Sequence, residues 1–149
     1  MTTEAVVIVA AKRTPMGGFM GALSGADATE LGATAIASAL AEASLNDSAI
    51  DEVIMGCVLP AGLGQAPARQ AMLKAGLARA TGATTINKVC GSGLKAAMLA
   101  HDLIKAGSIN SAVAGGMESM TNSPYFIPKA RGGMRMGHGE IKDHMMPDG

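Results

Sequence analysis

Cys90 stands in the stretch Val-Cys-Gly-Ser-Gly at residues 89–93. A β-like run, 84–89, precedes it, and an apolar helical pattern follows it as far as Gly107. A thiol that leaves a strand and opens a helix can be a nucleophile. The first N–H groups of a helix have no partner within the helix and point beyond its end. The reactive species is the thiolate, which is a few per cent of a free thiol at neutral pH. A helix dipole contributes up to about 2 kcal/mol in favourable geometry, enough to favour the anion more than tenfold. It supplies no proton acceptor, so efficient turnover also needs a base, a histidine in the first instance. Gly91 and Gly93 are expected to allow a sharp turn and to leave room for substrate beside the backbone. The competing reading of Cys90 is a small buried hydrophobe at a strand end. The stretch is not a Gly-x-Ser-x-Gly elbow with cysteine in the serine position, because Lys88 and Ser92 occupy the two glycine positions.

The other candidates for chemistry are weaker. Cys57 lies 33 positions before Cys90, which fits no metal-ligand spacing, and no metal site is expected. Both thiols are expected to be reduced. His101 falls eleven residues after Cys90 in the same helical pattern, about 16 Å along an ideal helix, beyond direct proton transfer. His138 and His144 lie in an irregular segment and read as solvated or structural. Gly115–Gly116–Met117 lacks the Gly-x-Gly-x-x-Gly pattern of a dinucleotide site and reads as a place of close sheet packing.

The elements that must position Cys90 follow from the same sequence. Residues 5–11, AVVIVAA, read as a buried strand, being short, continuous and rich in β-branched residues. A Gly/Pro-rich loop follows at 12–25. Residues 27–45 read as a helix, with Asp27 as cap and Glu30 completing a capping box. Ala33, Ile36, Leu40 and Ala43 lie near its buried side. A second strand is expected at 52–60, a helix opened by Pro67 at 66–77, a third strand at 84–89, a helix closed by Gly107, and a fourth strand at 111–117. Strands alternating with helices imply a mostly parallel α/β sheet covered by helices, with sites at the carboxyl ends of the strands. After residue 117 the periodicity stops and Gly and Pro become frequent. That segment reads either as a tail or as an excursion supported by residues outside this chain.

The 149 residues suffice for about one ordinary domain. They are 48% hydrophobic and 16% charged, which excludes a disordered polyelectrolyte. Twelve basic residues balance twelve acidic ones, and there are only three aromatic residues, so nothing suggests nucleic-acid binding. The apolar runs are too short to span a bilayer, and no basic residue precedes the first run as a signal peptide requires. The expectation is a soluble cytoplasmic protein.

Four separated stretches, RTPMGGFMGAL (13–23), GLGQAPARQA (62–71), NKVCGSGLKA (87–96) and VAGGMESM (113–120), together resemble the amino-terminal part of the thiolase family. The resemblance implies a thiolase-like layered α/β fold. Residues 1–118 would form the α/β domain carrying the nucleophile, and 119–149 the incomplete start of a loop domain. It implies that Cys90 accepts an acyl group from a CoA thioester, its own N–H donating to the oxyanion. Two acetyl-CoA would condense to acetoacetyl-CoA, or a 3-ketoacyl-CoA would be cleaved in reverse. CoA thioesters would be substrates, with no permanently bound cofactor, and no CoA-binding residue is assigned. The family's distal motifs, a His in Gly-His-Pro, an Asn in Asn-Glu-Ala and a Cys in Cys-x-Gly, do not occur in these residues. The chain alone is therefore expected to be inactive in condensation. A homo-oligomer, dimer or tetramer, or a complementary C-terminal half is the expected partner. A split thiolase, a non-catalytic assembly module and a different acyl-transferring enzyme of the thiolase fold, such as a ketoacyl synthase, are the alternatives. The resemblance places Gln65 and Arg69 near a subunit contact.

Overall fold

A computed structural model describes residues 5–148. Residues 1–4 and 149, which include Glu4 and the start of the first expected domain, lie outside the described residues. The core is a three-stranded parallel sheet of β1 (Glu52–Gly56), β2 (Gly82–Ile86) and β3 (Ala112–Gly116) in the order β2-β1-β3. Three helices join or precede these strands: α1 (Ala28–Ala43), α2 (Pro67–Lys74) and α3 (Ser92–Lys105).

Alternation along β1 explains the layering. Val53, Met55 and Cys57 share a cluster with Ile36 of α1 and Met72 of α2. Ile54, pointing the other way, joins Ala96 and Ala100 of α3. Helices α1 and α2 thus cover one face and α3 the other. The chain steps from β1 out to β2 through α2, then returns across β1 to β3 through α3. Opposite directions on opposite faces give both crossovers the same hand. The sequence reverses direction between β1 and β3, where sheets of this kind place their sites.

The helix boundaries follow local chemistry. The Asp27 side chain accepts from Glu30 N, and the Glu30 side chain accepts from Asp27 N, which is the expected capping box. Lys74 of α2 donates to Thr29 Oγ1 at 2.7 Å and ties the two helices together. Arg69 donates to the carbonyls of Thr81 and Arg79, both at 2.8 Å, and pins the turn into β2. At the end of α3, Gly107 adopts φ +73° and donates to Ile104 O, while Ser108 donates to Leu103 O. This paired closure needs a left-handed residue, which glycine supplies without a Cβ clash.

Three expectations fail. The third expected strand, 84–89, runs instead as Gly82–Ile86, because Lys88 N and Val89 N bond to the Ser92 and Asn87 side chains and not to a neighbouring strand. Residues 5–11 form no strand: Val7, Ile8 and Val9 are exposed, not buried. A cleft lined by Val6, Val9, Ile50, Ile104 and Ala112 separates this run from β3. Strand propensity without a ladder partner among the described residues does not make a strand. The second expected strand ends at Gly56, ahead of Pro60: Cys57 N still reaches Ile86 O of β2, but Val58 N leaves the ladder for the Glu118 carboxylate. After Gly116 the chain is irregular but not featureless. Tyr125–Phe126 (β4) pairs antiparallel with Lys142–Asp143 (β5), and a single turn, Met145–Asp148 (α4), follows. Among the described residues, no helix is long and apolar enough to cross a membrane.

Candidate active site

The amino end of α3 sits on the carboxyl ends of β1 and β3. The contact is made where side chains are smallest. A Cβ built on Gly56 would come within 2.5 Å of Ser92 Cβ and 2.7 Å of Ser92 C. Gly116 of β3 faces Gly93 in backbone contact, a Cβ at Gly116 lying 3.4 Å from Gly93 Cα. The helix therefore starts directly above the reversal point of the sheet. Met117 N donates to Gly56 O at 2.9 Å and Cys57 N to Ile86 O at 3.0 Å, closing the strand ends beneath it.

The five residues before α3 form a pinned turn. Val89 N donates to Asn87 Oδ1 at 2.9 Å, and Gly91 N to Lys88 O at 3.1 Å. Ser92 Oγ accepts from Lys88 N at 2.8 Å and donates to Val89 O at 2.6 Å, while Ser92 N also donates to Val89 O at 3.0 Å. Val89 itself has φ +48°. A β-branched residue there is an outlier, with a cost of order 1–3 kcal/mol. The two Ser92 hydroxyl bonds, each worth about 0.5–1.5 kcal/mol net, are of the same size. The turn is held by its bonds against its own preference.

The result is that Cys90 is exposed at the head of α3. Both cysteines are free, and they differ completely in setting. Cys57 is 1% accessible and lies 3.7 Å from Glu118 Oε1. Burial first, then the Glu118 charge and hydrogen bond, push its thiol up to about 12. Glu118 also accepts from Val58 N at 3.0 Å and Leu59 N at 2.8 Å. Its carboxylate thereby fixes the loop leaving β1, beside the α3 start.

His101 is exposed on α3 with Nδ1 3.1 Å from Asp102 Oδ1. His144 packs edge-on to Phe126 in the β4–β5 region, with ring centroids 6.4 Å apart. Among the described residues, no group of three or more His, Cys, Asp or Glu side chains comes together as a metal site would require.

The glycines work differently from the expectation. Gly91 keeps φ −86° and Gly93 is already helical and spent on packing. The residue that makes the turn is Val89. Sequence reasoning also passed over Ser92, Gly56 and Glu118. A serine two residues after the cysteine, in the first helical turn, was the available signal for Ser92.

The family described as "Thiolase, N-terminal domain" matches residues 6–149. The chain belongs to the thiolase family. Acetyl-CoA acetyltransferase 2 of Arabidopsis thaliana is 52% identical over 144 residues, covering 97% of this chain and 36% of that protein. Acetyl-CoA acetyltransferase of Escherichia coli K12 is 53% identical over 144 residues, covering 96% of this chain and 36% of that protein. Among solved thiolases, Acat5 thiolase from Ascaris suum, in complex with coenzyme A, superposes with a TM-score of 0.91 at 38% identity. That match covers 95% of this chain and 37% of the Ascaris chain. The 149 residues thus span little more than a third of the length of these relatives. The thiolase-like α/β fold expected from the motifs is the fold observed.

Proposed function

We propose that this chain is the nucleophile-bearing part of an acetyl-CoA acetyltransferase, and that Cys90 is its acyl acceptor. The Cys90 thiolate attacks the thioester carbonyl carbon of acetyl-CoA, and the electron pair moves onto the carbonyl oxygen. Collapse of that oxyanion expels CoA thiolate and leaves acetyl-Cys90. A second acetyl-CoA then gives up an α-proton to a base. Its carbanion attacks the acetyl carbon, forms acetoacetyl-CoA and returns the Cys90 thiolate. Thiolytic cleavage of a 3-ketoacyl-CoA is the same path reversed.

The observation that carries this reading is the exposure of Cys90 at the start of α3, above the strand ends, in a chain half identical to acetyl-CoA acetyltransferases. The direction of its N–H supports an oxyanion role. Val89 O is turned into the helix start by two Ser92 bonds, and a trans peptide points its N–H the opposite way. The Cys90 N–H is therefore aimed out of the helix, where an oxyanion over the sulfur would sit.

Acyl transfer to Cys90 is the step these residues carry in this reading. Residues 119–149 open the loop domain in this reading. Exposed Val7, Ile8, Leu94 and Met98 are covered by a second copy or by the complementary thiolase half. The test is complementation. The chain is combined with the remaining two-thirds of a bacterial acetyl-CoA acetyltransferase, and CoA-dependent consumption of acetoacetyl-CoA is followed. Activity that appears on mixing and vanishes with Cys90→Ser supports the reading; activity indifferent to Cys90→Ser contradicts it.

A further inference from the structure

Ser92 is buried, at 4% accessibility, yet its hydroxyl contacts the backbone on both sides of Val89. It accepts from Lys88 N and donates to Val89 O, so one oxygen ties the N–H of Lys88 to the carbonyl of the left-handed Val89. In the same turn Val89 N donates to Asn87 Oδ1. Gly56 lets the Ser92 backbone lie against β1, so the clamp is anchored to the sheet. From this arrangement we infer that Ser92 is a positioning residue for acyl transfer. It fixes the Val89–Cys90 peptide plane, and with it the direction of the Cys90 N–H relative to the Cys90 sulfur. It touches no substrate itself. The inference rests on the reading of Cys90 as acyl acceptor and adds the residue that orients it.

The orientation matters for one kind of reaction and not for another. Attack on an ester or thioester carbonyl puts an electron pair on oxygen, and that oxyanion needs the N–H. Displacement of iodide from iodoacetamide forms a carbon–sulfur bond directly and generates no oxyanion. A clamp on the peptide plane governs the first and not the second.

The experiment compares the full chain with its Ser92→Ala and Ser92→Thr variants, using p-nitrophenyl acetate and iodoacetamide as probes and peptide mass spectrometry to locate each adduct. In the first reaction the thiolate attacks the ester carbon and nitrophenolate leaves. Ser92→Ala is expected to lower acetylation of Cys90 at least tenfold. Alkylation of Cys90 by iodoacetamide stays within about threefold, and Ser92→Thr recovers most of the lost acetylation. Cys57 reports the fold: buried in the wild type, it must stay unmodified in every variant. Equal loss of both reactions, no loss of either, no recovery with threonine, or Cys57 becoming reactive in Ser92→Ala would each overturn the inference. Acetyl-CoA in place of the nitrophenyl ester separates the two ideas. A wild-type chain that takes acetyl from the nitrophenyl ester but not from acetyl-CoA refutes the acetyl-CoA reading while leaving the Ser92 result to stand or fall by itself.

Discussion

Gly56 and Ser92 approach so closely that a single methyl group on Gly56 would overlap the Ser92 side chain and backbone together. This contact joins the end of the central strand to the start of α3. It decides how far Cys90 sits above the sheet. The neighbours that would have to move are Ser92 Cβ, Ser92 C and Gly93 N, two of them backbone, so the site cannot relax by turning a flexible side chain.

Gly56→Ala should therefore destabilise the chain by about 1–3 kcal/mol, the usual cost of overpacking, and should also reduce acetylation of Cys90. Gly91→Ala is the control. Its Cβ would meet nothing closer than Lys88 O at 3.4 Å, and its φ is one that any residue adopts. Urea unfolding of the two variants should separate them. Equal midpoints would remove the steric argument.

The two cysteines should differ in reactivity at neutral pH. Iodoacetamide should modify exposed Cys90 long before Cys57, which is buried and keeps its proton beside Glu118. Peptide mapping after a short pulse reads the order directly; comparable labelling of both in the folded chain would contradict the structure.

Cys57 also carries a pH signature. Its folded value, about 12, lies above its ordinary 9.0. Between those values the unfolded thiol ionises while the folded one keeps its proton. The folded state then binds more protons, so stability falls as pH rises across that window, by up to about 1.4 kcal/mol per pH unit. The contribution is intact below pH 9. Comparing wild type with Cys57→Ala by urea unfolding at pH 8 and pH 10.5 isolates it: the wild type should lose more. Parallel losses in the two proteins would rule it out.

Asp27 should show the opposite sign. Burial raises its carboxyl, but hydrogen bonds from Thr29 and Glu30 N and the charge of Lys74 outweigh that and hold it below its ordinary value. Its stabilisation is present above pH 4 and is lost as pH falls through the folded value. Asp27→Ala should cost about 0.5–2 kcal/mol at pH 7, as the loss of a helix cap does, and less at pH 3. A penalty that grows on acidification would be inconsistent with the cap.

The helices were legible because their ends are written in local chemistry. Asp27 with Glu30, Pro67 and Gly107 each act within a few residues of themselves. The run at 5–11 was misread because a strand is a relation between segments, and Val7, Ile8 and Val9 state only one side of it. The placement of Cys90 between a strand and a helix was readable from the order of patterns. The mechanism of that placement was not. Val89 is a residue type that disfavours the left-handed region, so nothing in its identity announces φ +48°. The bonds that hold it come from Ser92, and the space that admits Ser92 comes from Gly56, 36 positions earlier. Glu118 was passed over for a similar reason: its bonds reach back about 60 residues, to Val58 and Leu59.

The central claim is that Cys90 accepts an acyl group from a CoA thioester. Its most direct test is incubation of the folded chain with acetyl-CoA, followed by mass mapping of every peptide. The account predicts one stoichiometric acetyl thioester on Cys90, removed by added CoA and absent in Cys90→Ser. Unmodified Cys90 in a chain whose Cys57 remains protected, or acetyl groups scattered over lysines instead, would contradict it.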